Sequence, residues 1–313
     1  MSLARRLLEK PWIGAYAGAL LIWLATIAMT EGQGGAGVLT AALSFAPFSV
    51  LVAIGQMYVI TLGPGNVDLS IPATMTRAGA VSMKIMDGSD PMILPGLLIA
   101  LGCGAAVGTA NYGLIRLLRI PPIIATLSSS FVFLSAAISY SRGLRIKPPP
   151  LLADFTTWIV AGVPVLAVAG MALTIVMSVV LHRTVFGRTV TAIGQNPRAA
   201  RLAGLPVDRV RFATYIMCGV FAGLTGYLVS GFSGGAALNM GSEYLLASIA
   251  VVVIGGTSVA GGYANLPGLW GAAMLLFLLV TMLNTYGFGA GIRLVLTGVI
   301  IIGVITLASG RAR

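Results

Sequence analysis

The sequence predicts an all-α polytopic membrane protein, and three observations carry that reading. Only 9% of its 313 residues are charged and 58% are hydrophobic, where a soluble domain carries roughly 25% charged residues. Its apolar runs recur at about 20 residues, the length a helix needs to cross a bilayer. Its basic residues sit at the ends of those runs and not on one solvated face, so the net charge of +11 reflects membrane orientation and implies no nucleic acid partner.

Ten spans are predicted, at about 12–30, 42–62, 67–86, 92–115, 121–141, 157–181, 207–230, 243–260, 265–285 and 291–309. The first has a basic start (Arg5, Arg6, Lys10), but its apolar run continues too far for a signal peptide and lacks a cleavage-like end. With the N-terminus in the cytoplasm, thirteen basic residues fall inside: Arg5, Arg6, Lys10, Arg116, Arg119, Arg183, Arg188, Arg198, Arg201, Arg209, Arg211, Arg311 and Arg313. Four fall outside, namely Arg142, Arg145, Lys147 and Arg293, while Arg77 and Lys84 lie in the third span. This bias places both termini in the cytoplasm. The loop holding Arg142, Arg145 and Lys147 continues into three prolines and Asp154 and reads as an ordered outer loop. The whole chain, 1–313, is one transmembrane domain, with a basic cytoplasmic loop at 184–211.

Two spans are interrupted. "ITLGPGNVDLSIPA" (Ile60–Ala73) sets two glycines, two prolines, Asn66 and Asp68 between apolar stretches. Such a break frees backbone groups that lipid cannot satisfy, so it must face protein or a water-filled cavity. Asp68 reads either as a helix cap at the membrane edge or as a group lining a pathway. The second interruption follows Tyr244–Ile254, whose 11 residues make about 16 Å of helix, half the hydrocarbon thickness. Gly255, Gly256, Gly261 and Gly262 then surround Thr257 and Ser258. The glycines read either as close helix packing or as a discontinuous segment whose backbone lines a route.

The stretch Phe186–Arg211 gathers five of the 19 basic residues into 26 positions. Asn196 suits an N-cap and Pro197 the first helical position. Arg198, Ala199, Ala200, Arg201, Leu202 and Ala203 are helix-compatible, and Gly204 is a natural stop with Pro206 beyond it. That spells a short capped helix outside the membrane, either lying on anionic headgroups or docking a cytoplasmic partner.

Little here is catalytic. The chain lacks a phosphate-binding G-x-x-x-x-G-K-[ST] loop, and its only lysines are Lys10, Lys84 and Lys147. Its one histidine, His182, sits beside a span, and Cys103 and Cys218 fall inside spans as small core residues, not as a disulfide or metal pair. No catalytic residue and no metal site are expected. The energy for any transport then comes from an ion gradient or from another subunit.

Four segments resemble one family, in its order and over nearly the whole chain. "GNVDLSIPA" (Gly65–Ala73) is similar to G-x-D-L-S-V-G, and "IPPIIATLSSS" (Ile120–Ser130) to an F-I-A-T-L segment. "FGRTVTAIGQNPRAARLAGL" (Phe186–Leu205) is similar to L/F-G-R…A-I-G-x-N-x-x-A-A-R-L-x-G-I. "LLASIAVVVIGGTSVAGG" (Leu245–Gly262) is similar to A-I-A-A-V-V-I-G-G-T-S-L-x-G-G. The family is the permease subunit of ribose-type (monosaccharide) ATP-binding-cassette importers, related to branched-chain amino-acid permeases. Pro72 stands where that pattern has glycine, and Leu134 and Ser135 where it commonly has Arg-Gly.

The resemblance implies that Asn196–Gly204 is a coupling helix seated in a groove of an ATPase subunit. It implies that Asn66, Asp68, Ser70, Thr126, Gly255, Gly256, Thr257 and Ser258 lie at the translocation pathway or a subunit interface. It implies a second permease subunit (homo- or heterodimer), ABC ATPase subunits carrying ATP and Mg, and an extracytoplasmic substrate-binding protein, all at a bacterial inner membrane. This chain itself would hold no cofactor. Its solute would be a small polar molecule, foremost a monosaccharide. A branched-chain amino-acid importer permease and an ion-coupled secondary transporter using Asp68 or Glu243 are the alternatives.

Overall fold

The computed structural model describes residues 11–30, 32, 35–141 and 147–285, with isolated positions between 289 and 302. Helices dominate. In order they are α1 (Pro11–Met29), α2 (Gly35–Thr61), α3 (Ile71–Met86), α4 (Ile93–Leu117), α5 (Pro122–Ser141), α6 (Pro150–Thr157), α7 (Val165–Arg183), α8 (Val185–Gln195), α9 (Pro197–Leu202), α10 (Val207–Phe232), α11 (Tyr244–Ile254) and α12 (Pro267–Thr285). A 3-10 turn, Asp90–Met92, leads into α4.

Among the described residues seven helices are long and apolar enough to cross a membrane: α1, α2, α4, α5, α7, α10 and α12. Two further expected spans are shorter. The third is helical only over the 16 residues of α3, about 24 Å, because the chain from Leu62 to Ser70 is irregular. The eighth is the 11-residue α11, and its expected remainder to residue 260 is turn. Most of the tenth, with Arg293, lies outside the described residues, as do Arg5, Arg6, Lys10, Arg142, Arg145, Arg311 and Arg313.

The sixth span starts later than expected, at Val165 and not at 157. A hairpin of β1 (Ile159–Val160) and β2 (Val163–Pro164) occupies the interval, with Ile159 opposite Pro164. Its turn residues Ala161 and Gly162 both have positive φ, 50° and 81°, the geometry that matches strand twist in a two-residue hairpin. The neighbouring helix α6 is held by Asp90, whose Oδ1 accepts the Leu151 amide at 3.0 Å. The described part of the expected outer loop is therefore ordered.

The centre of the molecule is α10, which packs on α2, α3 and α4. Lipid gives apolar side chains no reason to bury, so helices associate through small residues that let backbones approach. A Cβ on Gly104 would collide with the Gly219 carbonyl, and one on Gly219 would collide with that of Gly104. Gly108 of α4 likewise meets the backbone of Tyr215 and Ile216 on α10, and Gly223 and Gly226 of α10 meet the backbone of Ala100 on α4 and Met75 on α3. Hydroxyls inside spans return to their own helix, as when Thr225 donates to Phe221 O and Thr214 to Val210 O, each at 2.8 Å.

Candidate functional site

The first break forms a buried polar network. Asn66, Asp68, Ser70 and Thr126 are all buried, and the fold brings them together with Gln56, Asn111 and Ser129. Asp68 Oδ1 accepts the Ser70 amide (2.9 Å), the Ser70 hydroxyl (2.6 Å) and Asn111 Nδ2 (3.4 Å). Asn111 Nδ2 also donates to Ser70 Oγ at 2.7 Å, and Ser129 donates to Asn111 Oδ1. Thr126 on α5 clamps the break, accepting the Leu69 amide at 3.0 Å. Ser70, not Asp68, occupies the N-cap position of α3, and its side chain makes no cap bond. Asp68 instead closes the turn before the helix and is 2% exposed. Two buried atoms in this network have no hydrogen-bond partner, Asp68 Oδ2 and Gln56 Nε2. An unmatched polar atom in a protein interior is costly, so these two mark the network as more than packing.

Asn66 joins the same break to α10. Its Oδ1 accepts from the Tyr215 hydroxyl (3.3 Å) and from the Arg211 guanidinium (3.4 Å), while Nδ2 donates to Gly63 O (3.1 Å).

The second break is a closed turn. Gly256 has φ 91°, which only glycine adopts freely. Asn265 Nδ2 donates to Gly255 O at 2.8 Å, and the Asn265 amide donates to Thr257 Oγ1 at 3.2 Å. The Ser258 amide donates to Tyr263 O. Thr257 and Ser258 thus bond within their own turn and not to the Asp68 network. The two breaks meet through backbone, where the Gly262 amide donates to Thr61 O at 3.0 Å and Gly261 packs on Gly63.

The basic loop is two helices, not one. Sequence reasoning missed α8, whose N-cap Thr184 accepts the Gly187 amide at 3.2 Å. Asn196 then caps α9, its Oδ1 accepting the amides of Arg198 and Ala199 at 3.0 Å each. Gly204 ends it with φ 79°, the Gly204 amide reaching Arg201 O and the Leu205 amide reaching Ala200 O at 3.1 Å each. That pair of bonds is the Schellman stop. Ala203 is the C-cap, one residue past the last helical position. Pro197, Arg198, Ala199 and Arg201 are exposed, Ala200 is buried, and Leu202 is 90% exposed.

Where α8 ends, Gly194 is wedged between both breaks. A Cβ there would strike the Thr61 carbonyl and the Gly262 amide. One backbone junction therefore joins Thr61 and Gly63, Gly194, and Gly261 and Gly262.

Residues 38–305 match the family model described as branched-chain amino acid transport system / permease component. The chain belongs to that permease family. It is 33% identical over 261 residues to the ribose import permease protein RbsC of Bacillus subtilis, covering 82% of this chain and 80% of the relative. It is 29% identical over 263 residues to RbsC of Escherichia coli K12, with 81% and 80% covered. The autoinducer 2 import system permease protein LsrD of the same strain is 29% identical over 248 residues, with 77% and 75% covered. No solved structure gives a significant match.

In this permease the side chains that the fold adds to the two breaks, and that sequence reasoning missed, are Gln56, Asn111, Ser129, Arg211, Tyr215 and Asn265. Gln56 and Asn111 carried a signal, each an isolated polar side chain in an apolar run, where burial in a membrane is expensive. Among the described residues no group of three or more His, Cys, Asp or Glu could hold a metal.

Proposed function

We propose that this permease forms the path for a small polar solute, foremost a monosaccharide, in an ATP-driven importer of the bacterial inner membrane. The two ribose import permeases and the autoinducer 2 permease among its relatives support an importer and a polar cargo. A second permease subunit completes the path, ABC ATPase subunits supply ATP hydrolysis with Mg, and an extracytoplasmic binding protein delivers the solute. Ten spans with both termini in the cytoplasm accord with the basic residues of α9 and of the ends of α4 and α7 lying on one side.

The glycine junction is the observation that carries the mechanism. α9 offers Leu202 and two arginines to a partner, and α8 runs from it to Gly194, which touches both breaks. A displacement of α9 on nucleotide binding then reaches Thr61–Gly63 and Gly261–Gly262 through hard backbone contacts. Those breaks are where the path changes between inward-open and outward-open states. Asp68, Asn66, Ser70 and Thr126 hold the first break in register, and Gly255, Gly256, Thr257 and Ser258 form the second. The family description itself supports a second reading, in which the cargo is a branched-chain amino acid.

Co-purification tests the docking role. Leu202→Asp places a charge on a side chain that is 90% exposed, so the permease should reach the membrane at normal levels and lose its ATPase subunit. Undiminished association in this variant would remove α9 as the dock.

A further inference from the structure

A second feature lies at the same end of the molecule. A cavity of about 510 Å³ opens between the last turn of α4, the 118–121 turn, α9 and the first turn of α10. Four guanidiniums face it, from Arg116, Arg119, Arg201 and Arg211, against the single carboxylate of Asp208. Asp208 is already shared, by Arg116 at 3.4 Å and Arg201 at 3.6 Å, and it accepts from the Tyr112 hydroxyl at 3.5 Å. Arg211 is turned toward Asn66. Arg119 has no ion-pair partner among the described residues. Its backbone sits at φ 56°, a left-handed conformation that a branched or long side chain adopts only at a cost. The pocket thus carries three positive charges beyond what its own carboxylate balances, and one of its guanidiniums is held there by an unfavourable backbone.

Guanidiniums present several N–H donors in a planar fork that matches phosphate oxygens. We infer that this pocket binds a phosphate-bearing anion. The anion bridges Arg116 and Arg119 to Arg201 and Arg211, so its presence is felt both at α9 and, through Arg211, at the Asn66 side of the first break. Two sources could supply that chemistry, an anionic phospholipid headgroup or soluble phosphate. The surroundings fit the lipid, because Leu117 and Leu118, between the two α4-side arginines, are 80% and 62% exposed and offer an apolar surface to acyl chains. Basic pockets between spans on the cytoplasmic side are suited to such headgroups.

The test is the thermal-unfolding midpoint of the full-length permease in neutral detergent. It is titrated separately with dihexanoyl phosphatidylglycerol, dihexanoyl phosphatidylcholine and inorganic phosphate. Phosphatidylglycerol should raise the midpoint and phosphatidylcholine should not. Arg119→Asn keeps a residue tolerant of the left-handed backbone and removes the charge. It should raise the half-saturating concentration about tenfold, the loss expected for one charge-assisted contact. Arg116→Gln should act in the same direction, and Arg188→Gln, whose arginine lies outside the pocket, should leave the titration unchanged. If inorganic phosphate gives the same shift with the same dependence on Arg119, the site stands and its source is soluble phosphate. A midpoint unmoved by every probe overturns the assignment. So does an equal response to both lipids, or a loss in Arg188→Gln as large as that in Arg119→Asn.

Discussion

Gly194→Ala puts the glycine junction under direct strain. The added methyl would meet the Thr61 carbonyl and the Gly262 amide closer than any real Cβ contact. Both obstacles are backbone, so no rotamer change relieves them and either α8 or one of the two breaks has to move. Overpacking a filled site by a methyl costs about 1–3 kcal/mol. Where that strain falls unequally on two transport states, their ratio changes by about 5- to 150-fold. The assay measures solute uptake and ATP hydrolysis in the same proteoliposomes containing the permease, its ATPase and the binding protein. Uptake per ATP should fall at least about fivefold while the complex still assembles and hydrolyses ATP. Gly113→Ala is the control, since a Cβ there meets nothing within 4 Å, and it should leave uptake per ATP unchanged. Normal coupling in assembled Gly194→Ala would refute the junction as the link between α9 and the breaks.

Gly204 has open space around it and φ 79°, so Gly204→Val is penalised by backbone strain of about 1–2 kcal/mol without a clash. ATPase stimulation should drop in Gly204→Val and be largely kept in Gly204→Asn, and equal losses in the two would point away from the helix stop. Asp68→Asn keeps an acceptor for the Ser70 amide and should transport at a reduced but measurable rate. Asp68→Leu strands both the amide and the hydroxyl of Ser70, about 1–3 kcal/mol for each buried group, and uptake should be lost; full uptake in Asp68→Leu would contradict the network's role. Gly256→Leu forces a side chain onto φ 91° and should impair uptake far more than Leu246→Ala on the exposed face of α11, as transport assays of the two would show. Single cysteines at the exposed positions 154 and 198 should be labelled by an impermeant reagent from the outside and the inside respectively, and labelling of both from one side would contradict the ten-span orientation.

Features fixed by neighbouring residues were legible in the sequence. The cap of α9 depends on Asn196 and the two amides after it, and its stop on Gly204 and Leu205, so both could be read from spacing. The long spans were legible from composition alone, because lipid demands it. Features made by distant residues were not. Asn111 stands as a polar residue inside an apolar span, but its meeting with Asp68, 43 positions away, is a product of packing. The helix α8 contains two glycines and two threonines, weak helix formers, and Gly187 is needed because a Cβ there would strike the backbone of Val180 and Leu181. The start of α7 was misplaced because Trp158 to Pro164 is apolar enough to pass for membrane, while the Ala161–Gly162 turn folds it into a hairpin. The junction at Gly194 was invisible for a related reason, since a glycine's neighbours cannot be read from its own surroundings in the chain.

The central claim is that ATP, acting through α9, drives solute through this permease. It is tested most directly by solute uptake into proteoliposomes holding the permease, its ATPase subunits and the binding protein, with and without ATP and with and without a protonophore. The account predicts uptake that requires ATP, is lost in Leu202→Asp and is indifferent to the protonophore. Uptake that persists without ATP and collapses with the protonophore would contradict it and make Asp68 the coupling group of an ion-driven transporter.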